Sequence, residues 1–123
     1  MIKFEGAERE VILEYIFERK LQASDDKFVI KKSIQSSIDA KIEYENMSQD
    51  EKLYIYRKII DQKIANLIYE EMYDNSMFMY FVNGLPEKRK RRLREWAFYR
   101  VRRMTPEEKE EFYRELGLKF YDE

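Results

Sequence analysis

Apolar residues recur at helical spacing along almost the whole chain, and this pattern limits the fold more than any other feature. Apolar stripes run through residues 7–23, 27–46 and 48–73. The regular alternation of apolar and polar residues that marks a half-buried strand is missing. Only residues 28–30 could instead form a short strand, which is the less favoured alternative. The spacing therefore predicts an all-α chain.

Polar residues between the stripes predict where the first three helices begin and end. The first helix is expected over residues 7–23, and Ser24-Asp25-Asp26 then offers N-cap side chains for a second helix over residues 27–46. The apolar stripe of that second helix consists of isoleucines at every fourth position: Ile30, Ile34, Ile38 and Ile42. Small serines beside this stripe, at Ser33, Ser36 and Ser37, predict a close helix contact. Ser48 and Glu51 have the spacing of a capping box, so a third helix is expected from there to about Tyr73.

The second half of the chain is expected to add up to three more helices. Polar residues 74–76 predict either an interruption, which would make residues 77–82 a separate short helix, or a bend. Gly84 is expected to end that helix, and Pro86 suits the first turn of the next. The helix that follows, over residues 86–104, carries most of the chain's positive charge.

Thr105 and Glu108 form a second capping box, with Pro106 in the first helical position. The last helix is expected to end at Gly117, with Leu118 closing over Tyr113 and the aromatic tail packing back on the body. The chain is therefore predicted to be a single domain over residues 1–123. Its fold class is expected to be a compact helical bundle of five to six helices.

Residues 77–82 are apolar on every side of a helix. Such a segment is usually buried, because large exposed apolar patches are rare on monomers. The domain core is the favoured location. The alternative is a two-fold homodimer through the large side chains of this segment, Met77, Phe78, Met79, Tyr80 and Phe81.

The composition gives little support for catalysis. The chain contains no cysteine and no histidine, so it lacks thiolate ligands, the commonest general base and the commonest metal ligand. No glycine-rich phosphate loop is present. We therefore expect that the protein is not an enzyme and that it has neither a cofactor nor a metal site. The charged fraction of 40%, rich in Lys and Glu, is typical of thermophilic proteins.

No segment of the sequence suggests a membrane protein. The first residues lack the apolar core of a signal peptide, and the longest apolar run, residues 77–82, is far too short to span a bilayer. A soluble, cytoplasmic protein is the expectation.

Charge is strongly segregated along the chain. Residues 85–104 hold nine basic and two acidic residues, a net charge of +7, whereas residues 1–84 and 105–123 each carry −4. The overall net charge of −1 therefore conceals a basic helix between acidic segments. Such segregation costs self-repulsion, so it indicates a function for the basic helix.

The basic helix is predicted to have two distinct faces. At 100° per residue, one arc collects the apolar residues Leu93, Trp96, Ala97, Val101 and Met104. The other arc collects the candidate binding residues Lys88, Arg91, Arg92, Tyr99, Arg102 and Arg103, with Glu95 as its only acid. Arg89 and Arg100 fall inside the apolar arc. Their side chains are expected either to reach out to solvent or to pair with a carboxylate, for instance one from the last helix.

A face of this chemistry matches the phosphates of nucleic acid, because arginine makes bidentate contacts with them and a tyrosine can stack on a base. The sequence thus favours a small nucleic-acid-binding accessory or regulatory protein, with DNA and RNA both open. The alternative is a protein-interaction module or inhibitor whose basic helix docks on an acidic protein surface. A third interpretation is plain surface electrostatics, with the acidic last helix folded over the basic one.

Overall fold

A computed structural model describes residues 2–83 and 87–121, with only the backbone described for residues 75–83 and Arg89. Five helices lie in this part of the chain: α1 (Ala7–Ala23), α2 (Val29–Asn46), α3 (Gln49–Asn83), α4 (Glu87–Arg103) and α5 (Pro106–Glu115). No strand occurs within these described ranges. The prediction of an all-α fold is confirmed, and the alternative of a strand at residues 28–30 is wrong.

The chain divides into two compact units. The N-terminal unit comprises Met1–Ile59, and the C-terminal unit comprises Ile60–Glu123. The boundary falls inside α3, so this one long helix contributes residues to both units.

In the N-terminal unit, α1 and α2 pack against each other. Ile12 and Ile16 of α1 are almost completely buried. The buried face of α2 consists of Ser36, Ala40 and Tyr44, spaced four residues apart. Small side chains at the first two positions permit close approach of the helices, and the expected contact at the serines is confirmed for Ser36, which is 3% exposed.

The isoleucine stripe of α2 does not contribute to the core. Ile30, Ile34, Ile38 and Ile42 are all exposed, because the packed face of the helix lies on the other side, at Ser36, Ala40 and Tyr44. The start of this helix also differs from the prediction. Phe28 occupies the N-cap position without a side-chain cap, and Asp26 instead accepts a hydrogen bond from the Phe28 amide at 2.9 Å.

In the C-terminal unit, the buried side chains come from three helices and from Tyr121 in the tail. α3 contributes Ile60, Ile64, Ala65 and Ile68, α4 contributes Ala97 and Val101, and α5 contributes Tyr113. The amine of Lys109 in α5 lies 3.4 Å from the carboxylate of Asp61 in α3. This unit contains the basic helix, so it is the one that carries the candidate site.

The last helix follows the sequence prediction closely. Thr105 and Glu108 form a complete capping box, with Pro106 in the first turn. At the other end, Gly117 has a positive φ of 71°, and the Leu118 amide donates to the Tyr113 carbonyl at 2.9 Å. This is the hydrogen-bond pattern of a Schellman motif. The ring of Phe120 packs edge-on against Tyr113 at 5.1 Å, which brings the tail back onto the body as expected.

The predicted interruption at residues 74–76 is wrong, because α3 continues as one helix to Asn83. Asp, Asn and Ser are weak helix formers, but each costs well under about 1 kcal/mol relative to alanine, and the helix on either side can offset that cost. The Ser48 cap is confirmed, since its hydroxyl accepts from the Glu51 amide at 3.2 Å.

Two predictions fall outside the described part of the chain. The expected turn at Gly84 and Pro86 lies in residues 84–86, which the structure does not describe. The homodimer interface through Met77, Phe78, Met79, Tyr80 and Phe81 concerns side chains outside the described set, so it stays a prediction. Within the residues that are described, no helix is long and apolar enough to cross a membrane.

Candidate nucleic-acid interface

The orientation of α4 is set by its two smallest apolar residues. Ala97 is 1% exposed and Val101 is 2% exposed, and they lie one turn apart on the buried side of the helix. Leu93, on the same arc, and Met104, directly after the helix, are only half-buried, although both were predicted on the core face. A helix that packs through small residues comes close to its neighbour, so the buried arc is narrow and most of the helix surface stays in solvent.

Trp96 and Arg100, which the sequence placed in the apolar arc, both lie at the surface. Trp96 is 59% exposed, although the apolar arc was predicted to bury it. The exposure of Arg100 agrees with the expectation that its side chain reaches solvent, and no described acid pairs with it as the alternative required. Both exposures have one cause: the buried arc is centred on Ala97 and Val101, so Trp96 and Arg100 fall beyond its edge. Arg89, the other cation expected in the apolar arc, lies outside the described side chains.

The cations closest to the buried arc lie against tyrosines of α3. The guanidinium of Arg94 lies 5.2 Å from the ring centre of Tyr69, and the amine of Lys90 lies 5.9 Å from that of Tyr73. Lys90 also pairs with Glu87 at 3.6 Å. These contacts bring part of the positive charge of α4 against aromatic faces, which stabilise it.

The six predicted site residues lie together on the exposed side of α4, and they are called the basic face below: Lys88, Arg91, Arg92, Tyr99, Arg102 and Arg103. All six are exposed. Among the described residues, none of the five cations of the basic face forms an ion pair with a carboxylate. The six side chains therefore share one face of α4, and their charge is available to solvent.

The acidic helix α5 does not neutralise this face by direct contact. Its Glu108 is engaged by the capping box at Thr105. The only ion pair of α5 among the described residues joins Lys109 to Asp61 of α3. No ion pair joins α4 to α5 in this part of the chain, which argues against the interpretation that α5 covers the basic helix.

An exposed aromatic pair adjoins the cations of the basic face. The rings of Trp96 and Tyr99 meet edge to face, with centroids 6.0 Å apart and an interplanar angle of 78°. The Arg103 guanidinium lies 4.7 Å from the Tyr99 ring centre. These three residues line one open groove, together with Met72, Arg100, Met104 and Glu108. A flat ligand could enter this groove and meet both aromatic and cationic groups.

Trp96 and Arg100 are the site residues that sequence reasoning missed. The angular analysis treated tryptophan as a core residue, whereas its large indole is seldom fully buried and carries a polar N–H. The ordering of residues around the helix was correct, but the centre of the buried arc depends on α3, and the sequence of α4 alone does not contain that information.

The described part of the chain contains no group of three or more His, Cys, Asp or Glu residues that could hold a metal ion. Comparison with known proteins gives no further guidance: no protein-family model, no curated protein and no solved structure matches this chain.

Proposed function

We propose that this protein is a small, non-enzymatic nucleic-acid-binding protein that contacts phosphates through the basic face of α4. The observation that carries the proposal is the exposure of five cations on one side of one helix, without a carboxylate partner among the described residues. Cations in this arrangement repel one another, and a polyanion relieves that repulsion while releasing its own counterions.

The dimensions of the basic face suit a phosphate backbone. Lys88 and Arg103 are fifteen residues apart, which corresponds to about 22 Å along the helix axis. Duplex DNA carries one charge per about 1.7 Å, so every cation of the face has phosphates within reach over that length. Arginine supplies four of the five cations. Its planar guanidinium binds phosphate in a bidentate manner that lysine does not match.

The aromatic pair favours nucleic acid over an acidic protein surface. Trp96 and Tyr99 add exposed aromatic rings beside Arg103, and unpaired bases offer flat faces on which such rings can stack. Aromatic rings flanked by arginines stack on unpaired bases, with about 1–3 kcal/mol per base. The pair therefore supports contact with bases as well as with phosphates.

Fluorescence anisotropy with labelled duplex DNA, single-stranded DNA and RNA tests the proposal. We expect binding to at least one of the three that weakens steeply with salt. Five phosphate contacts predict a log–log slope of about −4 to −5 on duplex DNA. The triple variant Arg91→Glu, Arg92→Glu, Arg102→Glu should lose binding and keep its helical circular dichroism spectrum, because these side chains are exposed.

A matched control separates a specific face from general charge. Lys58, Lys63 and Arg114 are exposed cations outside the basic face. Changing all three to Glu alters the net charge by the same amount, and this control should retain most of the affinity. If both triple variants lost the same affinity, binding would depend on net charge alone, and the proposal would be contradicted.

The aromatic contribution has its own test. Trp96→Ala and Tyr99→Ala should weaken single-strand binding more than duplex binding if the rings stack on bases. Failure to bind any of the three nucleic acids at low salt would overturn the proposal. A pull-down comparing wild type with the Arg91, Arg92 and Arg102 reversal would then test the alternative of an acidic protein partner.

A further inference from the structure

The C-terminal unit carries an open groove beside its basic face, called the aromatic groove below. Its walls include Met72 of α3, Glu108 of α5, and Trp96, Tyr99, Arg100 and Arg103 of α4. Tyr99 and Arg103 belong to both the groove and the basic face, so a ligand bound along the basic face reaches the groove directly. The groove has a volume of about 550 Å³. Pockets for small ligands measure about 300–1,000 Å³, so the groove has room for one nucleobase.

Trp96 offers the free aromatic surface of this groove. Its indole is 59% exposed. The edge-to-face contact with Tyr99, at an interplanar angle of 78°, engages at most one side of the indole. The Arg103 guanidinium already lies over the Tyr99 ring, 4.7 Å from its centre, whereas no cation among the described side chains lies over the indole. A planar ligand that enters the groove therefore has the indole face available for stacking.

The charges around the aromatic groove orient a nucleotide. Arg100 and Arg103 are exposed, and neither forms an ion pair with a carboxylate of the described residues. Their guanidinium groups can bind a phosphate or stack on a base. On the α5 side, one carboxylate oxygen of Glu108 accepts from the Thr105 hydroxyl at 3.2 Å. A carboxylate repels a phosphate but accepts a hydrogen bond from an N–H group of a base. The phosphate is therefore expected at the arginines, with the base inside the groove.

A base can enter the groove only when it is unpaired. Inside a duplex each base is paired and stacked on both sides, so turning it out of the helix costs free energy. A single strand offers the same flat face without that cost. Charge alone predicts the opposite preference, because duplex DNA carries the phosphates of two strands along the same length. The preferred form of nucleic acid therefore shows whether a base in the groove contributes to binding.

We propose that the aromatic groove binds one unpaired base, stacked on Trp96, of a single strand whose phosphates lie along the basic face. This inference rests on the proposed function and names its substrate class, which is single-stranded DNA or RNA in preference to a duplex. Stacking on an aromatic ring tolerates any sequence, because every base has a flat face. The protein thus binds single strands with little dependence on which base occupies the groove.

The fluorescence of Trp96 tests the stacking directly, because Trp96 is the only tryptophan of the chain. The first probe is a mixed-sequence DNA single strand of about 12 nucleotides, within the usual site sizes of about 4–16 nucleotides. The other probes are the matching duplex and an abasic strand of the same length, which keeps every phosphate and sugar but lacks the bases. At low salt the single strand should quench the indole emission, because a stacked base contacts the ring. The duplex and the abasic strand should bind without changing the emission.

Anisotropy with the same three probes measures what the base adds to the affinity. The wild-type chain should bind the single strand more tightly than the duplex, and at least about five-fold more tightly than the abasic strand, which is the smallest change expected for one stacked base. Trp96→Ala should bind the single strand and the abasic strand equally, with the wild-type affinity for the abasic strand. The control Tyr54→Ala removes an aromatic ring that is 68% exposed but lies outside the groove, so it should keep the wild-type difference. Circular dichroism should show unchanged helicity in both variants.

The three probes distinguish a failure of base binding from a failure of the proposed function. If the wild-type chain bound the abasic strand or the duplex as tightly as the single strand, without a change in indole emission, the aromatic groove would be overturned as a base site. Phosphate binding by the basic face would then stand. If the chain bound none of the three probes at low salt, the proposed function would fail, and base binding with it. A preference for the single strand that Trp96→Ala leaves intact would also overturn the placement of the base on Trp96.

Discussion

Tyr44 shows how a single buried polar side chain depends on its surroundings. Its ring is only 5% exposed, and the amine of Lys52 lies 4.2 Å from the ring centre. The Arg9 guanidinium lies 5.4 Å from the same ring. Burial raises the pKa of the Tyr44 phenol above its ordinary value, an effect that neighbouring Arg9 opposes and Glu45 reinforces.

This raised pKa predicts a pH dependence of stability. Because the folded pKa lies above the unfolded one, the neutral phenol contributes stability that is fully present below the unfolded pKa, about 10. That contribution is lost as the pH rises through the folded pKa. Urea unfolding between pH 8 and 11 should therefore show a steeper fall in unfolding free energy for wild type than for Tyr44→Phe. Tyr54→Phe, at an exposed tyrosine, should follow the wild-type curve. If the unfolding free energies of wild type and Tyr44→Phe fell equally with pH, the raised pKa of Tyr44 would be contradicted.

At the scale of the helix, α2 shows that the most hydrophobic residues of a helix need not be the buried ones. Its most apolar residues face solvent, and its small and aromatic residues face α1. The reason is geometric: Ser36 and Ala40 have small side chains that allow close approach of two helices, and Tyr44 is buried on the same face. The same principle applies to α4, where Ala97 and Val101 are buried and the larger Trp96 is not.

Truncation of matched isoleucines tests this orientation of α2. Ile12 in α1 is 0% exposed, and Ile34 in α2 is 58% exposed. Ile12→Ala should lower the unfolding free energy by about 2–5 kcal/mol, because it leaves a cavity. Ile34→Ala should change it by no more than about 0.5 kcal/mol when the chain is monomeric. Chemical denaturation below 1 µM, followed by circular dichroism, measures both. A large loss at Ile34 would show that the stripe is buried in the monomer.

At the scale of the whole molecule, the net charge of −1 and isoelectric point near 5.8 hide the local excess of positive charge. The Debye length is about 10 Å at 0.1 M salt, so a charged object meeting the basic face is largely screened from acids farther away. The distribution of charge therefore determines the behaviour of this protein more than its sum.

Ion-exchange chromatography tests this consequence without any nucleic acid. At pH 7 and low salt, we expect retention on a sulfonate cation exchanger despite the negative net charge. The Arg91, Arg92 and Arg102 reversal should flow through, whereas the Lys58, Lys63 and Arg114 reversal should still be retained. Both triple variants carry the same net charge of −7, because each substitution changes the charge of the chain by two. Identical elution of the two variants would contradict a localised basic face.

Much of the helical framework was determined by the sequence alone. The bounds of α1, the capping box of α5 and the Schellman turn at Gly117 all follow from residues within about one helical turn of each boundary. Capping and glycine geometry act through the nearest backbone groups, so the local sequence contains the necessary information. The membership of the basic face was predictable for the same reason, since the order of side chains around a helix depends only on its period.

Only the tertiary structure decided which face of each helix is buried. In α2 the isoleucine stripe was the obvious candidate for the core, and in α4 Trp96 was expected beside Ala97. Burial depends on how closely a neighbouring helix can approach, and that distance is set by small residues on one helix and by the shape of the other. The free energy of packing depends on both of the helix faces that meet. The sequence pattern of one helix therefore cannot show which of its faces is buried.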